Sequence, residues 1–581
     1  MEMLPLVYAQ DKRYRSSLRR LDRPKQAHVL ENLVSRENLG NSTGSDVALN
    51  RVHQWLRACE NHDRCSRARG RGFTPSRLLE VRQSDYRLAL QTEVPSGVQY
   101  ISLSYCWGQD KDMSRLQLTR ASFDELHAGK PIMSLPKTYR DTMHLAKLLG
   151  IRYIWIDRLC IMQGDTAAWA VESRAMPNVY RNAYITVAAL GAQDDQGGLF
   201  FERDAKELGP SIVHIRPDAD CALKKYICLG EYTWPWKFHL RGSPLLDRAW
   251  VIQERLLSPR VVYFGRSMIY WECWQRSACE INPKCLASAI SESTNLDSLD
   301  RPVVTSQIER KLKPLLEDSG LCCFTEDFEG CLHRWGSILA KYSQCSLTKP
   351  TDRLIAIQGL ADHLKSILTH IKNAGSIQYL AGHWDCTIPR SLLWTALSNS
   401  KRIVGVAPSW SWASLDYSSV NPDSHKVPTA RDIVYCSLLG VDFTSDQRSQ
   451  ERRTCANIVL RLRAPLFRVC LPCDKRESRP WAIKQISVTA ILSGEELRLD
   501  DTNFYEAVVW YDEQLVVTPT EVYALPIMTT RSEHSFLIEM LLLTGKQREF
   551  KRIGIIRLWF PQAQHAATWL ADQRSDVIML A

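Results

Sequence analysis

Between Tyr100 and Ala189 three short apolar runs alternate with two longer stretches of helical periodicity, and this alternation constrains the fold more than any other feature of the chain. Tyr100-Ile-Ser-Leu-Ser-Tyr-Cys106 predicts a strand that stops at Trp107-Gly108-Gln109-Asp110. Lys137 to Leu149 carries Met143, Ala146 and Leu149 on one stripe with Leu145 and Leu148 beside them, and Gly150 closes the helix. Ile151 to Ile156 predicts a second strand ending at Asp157-Arg-Leu-Cys160. Thr166 to Ala183 reads as a second helix bent at Pro177, and Tyr184 to Ala189 as a third strand. Strand, helix, strand, helix, strand implies a parallel sheet covered by helices, the α/β class.

The remaining chain divides around this core. Residues 1–50 are polar, basic and weakly periodic, a flexible basic leader that ends in the linker Asn38 to Asp46. Residues 51–286 are expected to form the α/β domain, with helical spacing from Val52 to Cys65 and strand alternation from Leu78 to Leu90. Residues 287–426 read as a mostly helical extension, entered through a Ser-rich connection over Ser288 to Lys313 and helical from Leu332 to Leu397. Residues 427–581 read as a β-rich C-terminal domain, on runs such as Ile458 to Ala464, Glu506 to Tyr511 and Glu521 to Leu525.

Bulk properties exclude several classes of protein. A chain of 581 residues, 45% hydrophobic, buries a large core and is not disordered. A net charge of +10, scattered through segments such as Asp11 to Lys25 and Arg64 to Arg77, is too weak to argue for nucleic acid as a partner. No apolar run approaches the length of a membrane span. The N-terminal apolar run precedes its basic cluster, the reverse of a signal peptide. The 18 cysteines therefore read as reduced thiols, and the expected location is the cytoplasm, with the nucleus left open.

In an open parallel sheet, ligands bind beyond the carboxyl ends of the strands, where loops and helix N-termini converge. Ser104, Trp107 and Gly108 close the first predicted strand, and Asp157 and Cys160 close the second. Their polar groups would face one crevice. The other reading makes Asp157 a turn cap, with Trp107 and Cys160 in the core.

Tyr100 to Gly108, Leu135 to Asp141, Leu149 to Ile161 and Met176 to Ala183 follow one another in an order that resembles the signature blocks of the fungal heterokaryon incompatibility (HET) domain. Pro244 to Arg260 and Tyr270-Trp-Glu-Cys273 continue the likeness, and Tyr379 to Trp384 and Ala407 to Ser414 match segments that usually follow it. The resemblance implies a flavodoxin-like core, distantly TIR-like, in a protein of self/non-self recognition that triggers cell death through self-association or a protein partner. It also implies a second role. Some TIR domains cleave NAD with a helix-borne glutamate, and Glu172 in Trp169-Ala-Val-Glu172 lies on the corresponding helix, one residue closer to its tryptophan than the TIR spacing. On that reading Glu172 and Asp157 are the candidate catalytic residues, with Glu172 beside the ribose as nicotinamide leaves. Ser104, Trp107, Gly108 and Cys160 would then hold the NAD. The plainer alternative is a solvated Glu172 on a helix surface, and an inactive paralogue is a third reading of the whole chain.

No metal is expected. Cys59, His62 and Cys65 recur at three-residue intervals, yet no fourth ligand is spaced alongside them, His53 is a poor substitute, and similar positions recur just before HET domains, so the group reads as packing. Cys273, Cys279 and Cys285 lack the Cys-x-x-Cys knuckle. Cys160 or Cys106 with His144 would imitate a thiol nucleophile and its base, but His144 reads as a core histidine. Arg248 to Arg255 reads as structural, an Arg and Glu that lock one element against another, with Arg248 near Gln253 or Glu254 only after repacking, and Trp410 and Trp412 alternate as on a strand, as core and rim rather than a ligand platform.

Overall fold

The computed structural model describes residues 39–62, 65, 72–108, 116–208, 211–215, 224–228, 243–281, 283, 328–372, 377–397, 400–425, 432–443, 457–470, 481–482, 485–490, 496–500, 506–512, 521–531, 536–546, 548–560, 570 and 573–581. Most of the basic leader, the Ser288 to Lys313 connection and Cys285 lie outside the described residues. The chain divides into two compact units, Met1–Leu246 with Glu254–Ser319 and Asp247–Gln253 with Gly320–Ala581.

The first unit is built on a nine-stranded mixed sheet. Its strands are β1 (Arg77–Val81), β2 (Asp85–Leu90), β3 (Tyr100–Ser104), β4 (Lys130–Pro131), β5 (Tyr153–Trp155) and β6 (Ile185–Ala188), followed after a separate hairpin, β7 (Ser211–Ile215) and β8 (Lys224–Cys228), by β9 (Arg260–Phe264), β10 (Ile269–Cys273) and β11 (Ser277–Cys279). The spatial order is β11-β10-β9-β6-β3-β5-β1-β2-β4. Only the centre is parallel: β3 pairs with β5 on one side and β6 on the other, and β6 pairs with β9. The flanks are antiparallel hairpins, so the sheet is mixed where the alternation had implied a parallel one. The three strands expected from Tyr100 to Ala189 are neighbours in it.

Strands buried on both faces tolerate hydroxyls only if these satisfy one another. In the centre of the sheet Ser102 Oγ and Thr186 Oγ1 are 2.7 Å apart, and Thr186 Oγ1 lies 2.6 Å from Ser258 Oγ. All three are buried.

Helix α1 (Asp46–Glu60) starts six residues earlier than its apolar periodicity predicts, because Ser45 caps it by accepting the Ala48 N–H and Asp46 sits in its first turn. The linker before it is not loose where it is described. Thr43 is buried, its N–H donates to Phe201 O and its hydroxyl donates to Leu199 O. One face of α1 buries Ala48, Val52, Trp55 and Cys59, the i, i+4, i+7, i+11 stripe of an amphipathic helix, so Cys59 is carried inward by the same periodicity as the core. Trp55 packs on Trp271 of β10, with ring centroids 6.0 Å apart.

Two helices cover the parallel strands. Helix α2 (Lys137–Leu148) ends at Gly150, whose φ of +68° suits a residue without a Cβ. Helix α3 (Thr166–Asn182) is capped by Asp165, which accepts from Ala167 and Ala168, and contains Pro177. It buries Glu172, Ser173, Met176, Val179 and Tyr180. Tyr100 OH donates to Val179 O and the Tyr180 ring stands edge-on to Trp155.

The Arg255 guanidinium holds Glu272 of β10 through two hydrogen bonds, and the Tyr263 hydroxyl donates to the same carboxylate. A charged lock between this segment and the sheet is thus made by Arg255 and Glu272. Among the described residues no helix is long and apolar enough to cross a membrane.

The second unit contains the helices Phe328–Tyr342 and Ile355–Lys372 and, beyond residue 430, a twelve-stranded sheet centred on the strands Tyr523–Arg531, Phe536–Lys546 and Glu549–Phe560. The C-terminal region is β-rich, as expected. The helical stretch predicted from Leu332 to Leu397 stops at Lys372. After it Tyr379–Leu380 pairs with His383–Trp384, and short helical turns follow. Trp410 and Trp412 lie in turns, not on a strand, and both are fully buried because their indole N–H groups donate to Ile458 O and Gly382 O. Gly382 is required there: its φ is +99°, and a Cβ would meet the Trp412 indole at 2.6 Å.

Candidate functional site at the carboxyl edge of the parallel strands

Strand β3 ends at Ser104 and β5 at Trp155, in parallel register, so the residues that follow them emerge at the same edge. Trp107 Nε1 donates to Asp157 Oδ2 at 2.8 Å, which brings together the two strand ends that the sequence singled out. Asp157 Oδ1 accepts the Arg158 backbone N–H at 2.7 Å. The Arg158 guanidinium lies over the Trp107 ring at 4.9 Å and donates to Asp195 Oδ2 at 3.3 Å. That ion pair is almost completely buried, its side chains 4% and 1% exposed. Below it the Tyr105 and Tyr139 hydroxyls meet at 2.6 Å, and burial holds both well above the ordinary phenol range, with the Asp157 charge adding to the effect. Gly108 has a φ of +84°, which suits a residue without a Cβ.

Strand β1 runs antiparallel to β5, which returns Arg77 to the same edge. Its guanidinium donates to Glu172 Oε1 at 3.1 Å and to Cys160 O at 3.1 Å, while Ser76 Oγ donates to Glu172 Oε1 at 2.6 Å. Glu172 is thus neither a solvated surface residue nor a bare carboxylate: it is 9% exposed and engaged by two donors. The signal was present in the sequence, since Glu172, Met176, Val179 and Ala183 share one helical face. Ser104 Oγ is buried at this edge without a hydrogen-bond partner among the described residues.

Neither the Cys160 thiol nor His144 has the surroundings that the thiol reading needs. Burial pushes the Cys160 thiol up to about 12, the opposite of an activated nucleophile. His144 is exposed, not in the core, and packs edge-on against Phe200.

A second polar cluster lies elsewhere in the same unit. Cys59, His62, Cys65 and Cys273 are all buried, and their ligand atoms lie within 4.8 Å of one another. The fourth member of the cluster, which spacing alone did not reveal, is Cys273, 211 residues beyond His62, at the end of β10. Hydrogen bonds from Cys59 and Cys65 hold Cys273 below the ordinary thiol value, and Cys65 and Cys59 are raised chiefly by their bonds to Cys273.

This is an α/β sheet protein whose parallel strands gather a network of paired carboxylates and guanidinium groups at their carboxyl edge. Residues 100–254, which carry most of that edge, match the family model described as Heterokaryon incompatibility protein (HET), and the chain carries a HET domain. It is also similar to Heterokaryon incompatibility protein 6, OR allele, of Neurospora crassa, at 23% identity over 304 residues. That match covers 45% of this chain and 43% of the relative, so the chain spans less than half the length of the curated relative it matches. No solved structure matches.

Proposed function

We propose that the chain acts in heterokaryon incompatibility, as a cytoplasmic self/non-self recognition protein that signals cell death through association with itself or with a protein partner. Its HET domain and its likeness to a heterokaryon incompatibility protein support the role. The parallel strands in chain order run 2-1-3-4 in space, as in the first four strands of a flavodoxin-like sheet, which supports that fold for the core. The signalling domain on this reading is residues 51–286, with 287–426 continuing it.

The observation that favours a scaffold over an NAD-cleaving enzyme is the pairing of both candidate carboxylates. Glu172 is held by Ser76 and Arg77, and Asp157 by Trp107 and the Arg158 N–H. A carboxylate that must steady a developing cation works best when no fixed cation already neutralises it. The enzyme reading keeps one observation in its favour, namely that Glu172, Asp157 and the unpartnered Ser104 hydroxyl share one edge.

Overproduction of the full chain in a filamentous fungus tests the role, since high concentration drives association by mass action. Growth should arrest, and Glu172→Gln, which keeps the acceptor for Ser76 and loses only charge, should arrest it equally without nicotinamide release from NAD. Loss of toxicity in a normally folded variant, with NAD turnover abolished in parallel, makes the protein an enzyme. Harmless expression at verified protein levels makes it an inactive paralogue.

A further inference from the structure

We propose that Cys59, His62, Cys65 and Cys273 bind one zinc ion in a closed tetrahedral site that pins the C-terminal end of α1 to strand β10.

The geometry is that of a ligand shell. Zinc–sulfur and zinc–nitrogen bonds of about 2.3 and 2.0–2.1 Å at tetrahedral angles put sulfur and nitrogen ligands roughly 3.6 Å apart, and sulfurs roughly 3.8 Å apart. His62 Nδ1 lies 3.8 Å from Cys65 Sγ and 3.5 Å from Cys273 Sγ, and all four ligand atoms fall within 4.8 Å. Packing alone gives no reason for three sulfurs and a ring nitrogen, all buried, to turn toward one point. A disulfide would use two of the thiols and strand the third beside the imidazole, and the three cysteines are free.

Charge supplies an independent argument. Arg260 is 1% exposed and pairs with no carboxylate among the described residues; its Nε donates to Cys59 Sγ at 3.2 Å and its Nη1 to Tyr184 O at 3.1 Å. A buried guanidinium needs a counter-charge. Zinc with three thiolates and a neutral imidazole carries a net charge of −1, which Arg260 balances. The Arg276 backbone N–H donates to Cys273 Sγ at 3.3 Å, the kind of second contact that orients a metal-bound thiolate. Three soft sulfurs and one imidazole select zinc over magnesium or calcium, and four protein ligands leave no open position for substrate, so the site is structural. Binding releases the thiol protons to solvent.

Elemental analysis of the reduced full chain, purified from zinc-supplemented medium, should find one zinc per chain. Replacement by cobalt(II) should produce sulfur-to-cobalt charge-transfer absorption together with the d–d bands of a tetrahedral ion. Cys59→Ser and Cys273→Ser should lower metal content at least tenfold, whereas Cys279→Ser, altering a buried thiol of the neighbouring strand β11, should leave it unchanged. His62→Cys should keep the metal and shift the cobalt bands toward those of an all-thiolate site. If the serine variants fail to fold, the cobalt spectra of the unaltered chain and of His62→Cys still decide. Folded, reduced protein that takes up neither zinc nor cobalt overturns the proposal, as does bound metal that survives both serine substitutions.

Discussion

Two polar clusters of the first unit, the carboxyl edge and the Cys59 group, solve the problem of burying polar atoms in opposite ways. At the carboxyl edge each charge meets its complement within the protein: Arg158 with Asp195, Glu172 with Arg77, Asp157 with the Trp107 indole. At the end of α1 the groups are alike, three sulfurs and a ring nitrogen turned toward one another, with a single cation beside them. Complementary groups close a network by themselves and hold loops in place, whereas like donor atoms crowded together call for something in their midst. The comparison assigns positioning to the first cluster and ligation to the second.

The largest effect that separates them is the loss of a thiol. Cys273→Ser should destabilise the first unit by more than about 4 kcal/mol, in the range that loss of a structural metal reaches. A strong chelator should lower the melting temperature of the unaltered chain and leave that of Cys273→Ser unchanged. Equal stability of the two proteins, measured by denaturant unfolding, would reduce the cluster to ordinary packing.

Next in size is the carboxyl edge. Asp195→Ala leaves the Arg158 guanidinium buried without its carboxylate, and breaking a buried pair from one side costs about 3–5 kcal/mol. A chelator should leave the size of this cost unchanged. If Asp195→Ala proves neutral, the Arg158 charge is satisfied by its other contacts and the edge is less self-contained than the ion pair suggests.

Most of the carboxyl edge was legible because its parts lie at the ends of short apolar runs, where period-2 and period-3.6 patterns meet. The cluster at Cys59 was only half legible. His62 and Cys65 follow Cys59 at helical spacing, but Cys273 arrives through the path of the sheet, from a strand more than two hundred residues away, and no local pattern encodes that meeting. The edge also shows where residue type misleads, since Glu172 is a charged residue on an inward stripe and periodicity was the better guide. The antiparallel flanks of the sheet and the burial of Trp410 and Trp412 in turns were set by tertiary pairing, beyond the reach of propensity.

The second unit offers a third case, a buried polar group with neither complement nor ligand. Both ring nitrogens of His425 are buried without partners among the described residues, and burial holds it down to about 3. The unfolded chain binds that proton near pH 6.5 and the folded chain only near 3, so stability is full above about pH 6.5 and declines as pH falls toward 3. His425→Leu should remove this contribution, on the order of a few kcal/mol at the acid end, and shift the acid-unfolding midpoint followed by circular dichroism to lower pH. An unchanged midpoint would mean that water or a neighbour satisfies the imidazole.

The smallest effect tests how the edge is held at its rim. Trp107 is half-buried, and its indole N–H reaches Asp157 Oδ2 across the gap between the ends of β3 and β5. Trp107→Phe keeps an aromatic face under the Arg158 guanidinium and removes the N–H. The lost bond is to a charged acceptor and is only partly screened from water, so the cost should be about 1–2 kcal/mol. Asp157 would still accept the Arg158 N–H at its other oxygen, so the strand end should stay in place. If the Trp107–Asp157 bond is what couples the two strand ends, Trp107→Phe and Asp157→Asn should be non-additive in a double-mutant cycle, with a coupling near the cost of either change alone. Strict additivity would mean that the strand ends are held by the sheet and that the bond across them is incidental.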